Sequence, residues 1–257
     1  MANVYLKISY DGSNYSGWQV QANTSQTIQE KVEKVVSKFN NRPTRIYGAS
    51  RTDAGVHAFG QRAQFQLEVD IPLAKIPQAF NGELPDDIVC LKAWQTPPDF
   101  HVRHDALAKK YIYRIYNRTY ANVFLRKYSY HCYYDLKVAD MVKAASYFTG
   151  EKDFSAFQAQ GCSNSTTVKE IYQSRITPKD NGEIWLEVVG SGFLYKMMRI
   201  IAGTLINVGK GKLAPEDISS IIASQDRTKA GFTAPAKGLT LQEIYYDQEI
   251  LAKEVKK

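Results

Sequence analysis

The chain has 257 residues, 44% of them apolar and 23% charged, the make-up of a folded globular protein with no long disordered tract. At about 150 residues per domain it holds one to two domains, and it contains no apolar run of the length that spans a bilayer. The net charge of +7 is uneven: residues 1–104 carry 11 basic and 10 acidic side chains and residues 105–257 carry 22 and 16, so an acidic partner is expected for the second half.

In chain order, Val4, Leu6, Ile8 and Tyr10 alternate with polar residues and predict a strand, closed by the turn pair Asp11-Gly12. This beginning shows no basic stretch followed by an apolar core, so no secretory leader is expected and the cytoplasm is the expected compartment. Ile28, Val32, Val35, Val36 and Phe39 fall at helical spacing, and Thr27 with Glu30 forms a capping box. Strands are predicted at Thr44 to Tyr47 and through Ala63, Phe65 and Leu67, separated by the loop GASRTDAGVHAFG. Pro72 to Phe80 predicts a short helix and Ile88 to Trp94 a strand, giving β-α-β-β-α-β for residues 1–104.

Residues 105–257 read similarly. A strand through Tyr111 to Tyr116 precedes a helix with Val138, Met141, Val142, Ala145 and Phe148 on one side, ended by Gly150. Strands at Val168 to Ile176 and Ile184 to Val189 flank the turn Lys179-Asp180-Asn181-Gly182, and Leu194, Met197, Met198, Ile201 and Leu205 mark a further helix. Pro215 to Ile222 predicts a shorter helix, and Leu239 to Tyr246 the last strand. The class is α+β, as two domains of similar plan with their boundary near residue 104.

Cys90, Cys132 and Cys162 lie 30 or more residues apart with no paired spacing, so reduced structural cysteines are expected. His101 and His104 share a turn without acidic or thiol partners beside them, and no metal site is expected there. Between Arg103 and Tyr128, seven cations stand against the single carboxylate of Asp105 and are interleaved with five tyrosines. Such a stretch suits nucleic acid, because cations neutralise phosphates and rings offer stacking faces to unpaired bases; a strand with a solvated basic face has the same composition.

The residue most suited to chemistry is Asp53, in a loop flanked by glycines that can hold a carboxylate toward a ligand. Arg51, two positions earlier, shares its side of an extended backbone and favours its ionised form. The same residues are compatible with an Asx-type turn and a surface arginine.

The segment GASRTDAGVHA resembles the active-site motif of the tRNA pseudouridine synthases of the TruA family, departing from it at Ala49-Ser50 ahead of Arg51. The resemblance continues in Tyr10-Asp11-Gly12 with Gly17-Trp18-Gln19, in Lys110-Tyr111-Ile112-Tyr113, in Asp153 to Phe157, in Phe193-Leu194 through Met198-Arg199 to Gly203, and in Lys237-Gly238-Leu239. Six collinear motifs span nearly the whole chain. The resemblance implies isomerisation of uridine to pseudouridine at positions 38, 39 and 40 of the tRNA anticodon arm, with no cofactor or metal. It implies a homodimer acting on tRNA, with neither DNA nor membrane as partner. The implied fold is the pseudouridine synthase fold, two α/β plaits whose antiparallel sheets join in one curved sheet with a basic cleft between them. Asp53 matches the family's catalytic aspartate, Arg51 the arginine that fills the place of the flipped base, and Tyr111 the active-site tyrosine. Arg199 matches the arginine that pairs with the catalytic carboxylate, and Leu239 an apolar contact to the uracil. By its own periodicity, Arg199 stands away from the apolar stripe of its helix and is expected to be exposed. Lys109, Lys110 and Arg114 are candidates for the RNA backbone. Other readings are a paralogue acting on fewer tRNA positions, a non-catalytic RNA-binding protein, and a hydrolase of the glycosidic bond, although no second carboxylate lies near Asp53 in sequence.

Overall fold

The computed structural model describes residues 2–161 and 166–256, so Cys162 lies outside the described residues. By contacts the chain divides into two compact units, Met1–Leu107 with Thr240–Tyr246, and Ala108–Leu239 with Asp247–Lys257. A linear boundary at residue 104 puts the last strand with the second half, but residues 240–246 pack with the first.

The first unit contains β1 (Ala2–Tyr10), α1 (Ile28–Asn40), β2 (Tyr47–Gly48), β3 (His57–Leu67), α2 (Ile76–Asn81) and β4 (Ile88–Gln95), and receives most of β10 (Leu239–Tyr245). Its strands run in the order β4-β1-β3-β10, with β2 on β3. The antiparallel expectation holds for β4-β1-β3 and fails at β10, which is parallel to β3 with Thr240 opposite His57. Parallel neighbours need a long crossover, and here the chain between them includes α2 and β4 of the first unit and all of the second unit up to Leu239. Alternation places Val4, Leu6 and Ile8 inward with no exposure. Of the predicted capping box the N-cap half is seen, the Thr27 side chain accepting from the Glu30 N–H, while the Glu30 carboxylate pairs with Lys34; α1 buries Ile28, Val32, Val35 and Val36. Phe80 of α2 stacks on Phe39 and Phe65, with ring centroids 5.0 and 5.9 Å away.

The second unit contains β5 (Ala108–Tyr116), β6 (Tyr130–His131), α3 (Val138–Ser146), β7 (Gly150–Asp153), β8 (Val168–Pro178), β9 (Glu183–Gly190), α4 (Met197–Gly209), α5 (Asp217–Ser224) and α6 (Gln248–Val255). Its strand order is β5-β9-β8-β7, antiparallel throughout, with β6 parallel on the edge of β5. The short strands β6 and β7 and the helix α6 were not predicted, and Gly150 opens β7 instead of ending α3. One face of this sheet carries Tyr111, Tyr113, Ile115, Leu186 and Val188, all buried. Cys90 and Cys132 are buried free thiols, and burial pushes that of Cys90 up to about 12. Among the described residues no helix is long and apolar enough to cross a membrane.

Candidate active site

The loop bearing Asp53 is shorter than composition suggested, because β3 begins at His57, inside the glycine-punctuated stretch. Residues 49–56 are left as the loop, and it is laid on the segment that follows β1. The Trp18 N–H donates to the Thr52 carbonyl (3.0 Å) and the Gly55 N–H to the Tyr15 carbonyl (3.2 Å). A Cβ on Gly17, whose φ is +99°, would stand 2.5 Å from the Thr52 carbonyl oxygen, and one on Gly12 would stand 2.0 Å from that of Val56. The paired motifs Tyr10-Asp11-Gly12 and Gly17-Trp18 thus form the bed under the loop. The turn itself closes through the Asp53 carbonyl, which accepts from the Val56 N–H at 3.1 Å.

Burial alternates along the loop. Ser50 and Thr52 are buried, Arg51 is exposed and Asp53 is half-buried, which puts Arg51 and Asp53 on the accessible side. Beside Arg51 stands Arg103, absent from the sequence-derived site, whose Nη2 donates to the Gly48 carbonyl at 3.3 Å. Burial and the charge of Arg51 lower the pKa of Arg103. Gln64 of β3 holds this neighbourhood, donating to the Phe100 carbonyl (2.7 Å) and accepting from the Val102 N–H (2.9 Å). The only sequence signal for Arg103 was its place at the head of the basic stretch.

The rings of His101 and His104 lie 4.3 Å apart, tilted by 46°, and His101 Nδ1 accepts the N–H groups of Arg103 and His104 (3.2 and 3.3 Å), so this ring organises a turn. Among the described residues, no three His, Cys, Asp or Glu side chains are grouped to hold a metal ion.

In the second unit, Tyr111 is 6% exposed and meets the Phe193 ring edge to face, with centroids 5.0 Å apart. Next on the same face, Tyr113 donates its hydroxyl to the Pro235 carbonyl at 2.9 Å. Burial raises its pKa, and the charge of Arg199 opposes the rise. Arg199 is half-buried, contrary to the exposure expected from periodicity. The stripe argument assumes a helix with one wet face, but α4 is buried nearly all round, with Ile200, Ala202, Gly203, Ile206 and Val208 covered as well as the stripe. Arg199 Nε donates to the Ala234 carbonyl at 2.7 Å, and its own carbonyl accepts from the Ala234 N–H at 3.0 Å. Arg199 and Tyr113 therefore both anchor the segment 234–235, which leads directly into the buried Leu239.

The three basic candidates on β5 part company. In an unbroken ladder neighbouring side chains point to opposite faces, so Lys109 shares a face with Tyr111, and Lys110 and Arg114 take the other. Lys110 Nζ lies 3.1 Å from Glu187 Oε1 and 2.7 Å from Glu254 Oε1, with its side chain only 12% exposed. Burial lowers its pKa, the two carboxylates outweigh this, and the net shift is upward. Arg114 lies over the Trp185 ring, 4.6 Å from its centroid. Both cations are taken up by the protein on the face away from Tyr111. Lys109 lies on the face of Tyr111.

Comparison with known proteins shows a family for the chain. A family model described as tRNA pseudouridine synthase matches residues 7–105 and 144–247. The tRNA pseudouridine synthase A of Ruminiclostridium cellulolyticum is 51% identical over 246 residues, covering 96% of this chain and 100% of that protein. The protein of the same name from a Thermoanaerobacter species is 45% identical with the same coverage, and tRNA pseudouridine synthase A 2 of Clostridium tetani is 44% identical over 95% of this chain and 99% of its own. With the Asp53 loop, its glycine bed and the Tyr111 strand all lying inside matched segments or full-length relatives, the chain belongs to the tRNA pseudouridine synthase family.

Proposed function

We propose that this chain isomerises uridine to pseudouridine in tRNA, with the uridines at positions 38, 39 and 40 of the anticodon arm as its targets. The N1–C1′ bond breaks, the base turns, and a C5–C1′ bond forms while C5 loses its proton and N1 gains one, so nothing enters or leaves overall. The observation that carries this reading is the Asp53 loop, an accessible carboxylate beside Arg51 on a main chain fixed from several sides, in a chain of this family. Asp53 is the catalytic residue in this reading. A target inside a paired stem must leave the stack to be reached, and Arg51 takes the vacated place while Tyr111 and Leu239 receive the uracil. Arg199 pairs with the catalytic carboxylate. Lys109 and Arg103 hold phosphates. The enzyme works as a cytoplasmic homodimer, and DNA is not its substrate.

The test is incubation of unmodified tRNA with the protein, followed by mapping of pseudouridine, beside Asp53→Asn. Pseudouridine at positions 38–40 is the expected product, with turnover lost in Asp53→Asn while tRNA affinity stays within a few-fold and the melt is unchanged. Modification at only one of these positions would mark a specialised paralogue. Release of free uracil would mark a hydrolase, and tRNA binding without modification a binding protein.

A further inference from the structure

The inward series of β3 runs Gln61, Ala63, Phe65, Leu67, and its first member is a polar side chain with no exposure at all. A buried amide persists in such a place only when its donors and acceptors are paired. Gln61 Oε1 accepts from the main-chain N–H groups of Ser50 (3.3 Å) and Arg62 (3.0 Å). Its Nε2 donates to the Ser50 carbonyl (2.6 Å) and to the Tyr10 hydroxyl oxygen (3.5 Å). With two N–H groups facing Oε1, the amide has one workable orientation. The Tyr10 hydroxyl accepts from Gln61 and also shares a hydrogen bond with Thr52 Oγ1, 2.8 Å away, in which either oxygen can donate.

These bonds converge on the two residues that flank Arg51. Gln61 grips both main-chain groups of Ser50 as a neighbouring strand would, and Tyr10 holds the side chain of Thr52, one position before Asp53. Both grips are buried, and Arg51 and Asp53 emerge on the other side. We propose that Gln61 and Tyr10 are positioning residues for the pseudouridine-forming step, acting through Ser50 and Thr52 to aim Arg51 and Asp53 without touching the RNA. The proposal rests on the function proposed above. Its physical basis is that catalytic groups must be held within about 0.5 Å of their productive geometry, and in a loop outside the ladder these side-chain bonds add to the few main-chain bonds from Trp18 and Gly55 that hold it. A merely structural role for the same bonds would affect the melt and leave the chemical step of the folded enzyme alone.

The experiment compares Tyr10→Phe, Thr52→Val, their double variant and Gln61→Met by single-turnover pseudouridine formation at saturating tRNA, tRNA affinity and thermal melting. Tyr10→Phe removes one hydroxyl and should slow the step about tenfold, with affinity within about twofold and a melt close to wild type. Gln61→Met should cost more, about a hundredfold, by freeing Ser50 as well. Because Tyr10 acts through Thr52, the double variant should be no slower than the slower single one. An active wild type with Tyr10→Phe at the same rate would overturn the proposal, as would rate losses that merely follow losses in melting temperature or affinity. Should Gln61→Met fail to fold, the Tyr10 and Thr52 cycle decides alone. A wild-type chain that makes no pseudouridine overturns the functional reading, and this proposal with it.

Discussion

Residues 49–56 and strand β5 both carry candidate site residues, and different forces orient them. The loop lies outside the strands, and its groups are fixed one at a time by hydrogen bonds from Trp18, Tyr10 and Gln61 and by the close approach of Gly12 and Gly17. Strand β5 is paired with β9 at every position from Lys109 to Tyr116, so its side chains are sorted by parity alone. In the loop, the supports decide what Asp53 can do. On the strand, odd and even positions decide which face of the sheet a cation joins.

The largest effect is expected where a loop support is removed. Gly17→Ala places a Cβ 2.5 Å from the Thr52 carbonyl at a φ of +99°. No side chain can yield to relieve this contact, because the obstacle is backbone. The expected cost is at least about 2 kcal/mol in urea unfolding. A larger proportional loss of pseudouridine formation should accompany it, since the chain that moves carries Asp53. A variant of wild-type stability and activity would break the idea that the loop is held rigidly from beneath.

Parity on β5 gives the next effect. Lys110→Met leaves Glu187 and Glu254 without their shared cation in a largely dry site. It should cost about 2 to 3 kcal/mol, tempered by Arg175, which still reaches Glu187 at 3.0 Å. It should leave the salt dependence of tRNA binding unchanged. Lys109→Ala should instead lower the slope of log affinity against log salt by about one. If the two variants exchange these effects, parity is the wrong rule for this strand.

The same contrast explains what could be read from the sequence. Alternation and helical spacing mark β1, β4, β5, β8 and β9 and the helices α1, α3, α4 and α5, because each has a run long enough to repeat its period. The short strands β6 and β7 escape, having two and four residues and no period to show. The helix α6 buries only Leu251 and depends on the Asp247 side chain accepting from Glu249 and Ile250, so it shows no stripe. Asp53 and Arg51 were legible as a motif, and Tyr10, Gly12 and Gly17 as motif residues, but that these support the loop was not, because hydrogen bonds between residues 10, 52 and 61 leave no local pattern. Gln61 did leave a trace, as the one polar residue in an inward apolar series. The exposure expected for Arg199 failed for a related reason, since one helix's periodicity does not reveal that neighbours cover its other side.

The smallest effect separates the two regions by their pH dependence. Burial pushes the Glu187 carboxyl up, but hydrogen bonds and charge from Lys110 and Arg175 outweigh it and hold its pKa below the usual glutamate value. A lowered folded pKa gives stability that is present above the unfolded value, about 4.3, and is lost as pH falls through the folded one. For Lys110 the net shift is upward, so its contribution is present below the unfolded value, about 10.4, and is lost as pH rises through the higher folded one. Stability from this cluster should therefore be flat between about pH 5 and 10 and decline at both ends. In Lys110→Met the alkaline decline should vanish, and the acid decline should shrink because Arg175 alone then favours the Glu187 carboxylate. Gly17→Ala should lower the whole curve without changing its shape, since steric conflict between a Cβ and a carbonyl oxygen has no proton to exchange. Urea unfolding of the three proteins at pH 4, 7 and 10.5 makes the comparison, and parallel curves for all three would show that the Lys110 cluster contributes no pH-dependent stability.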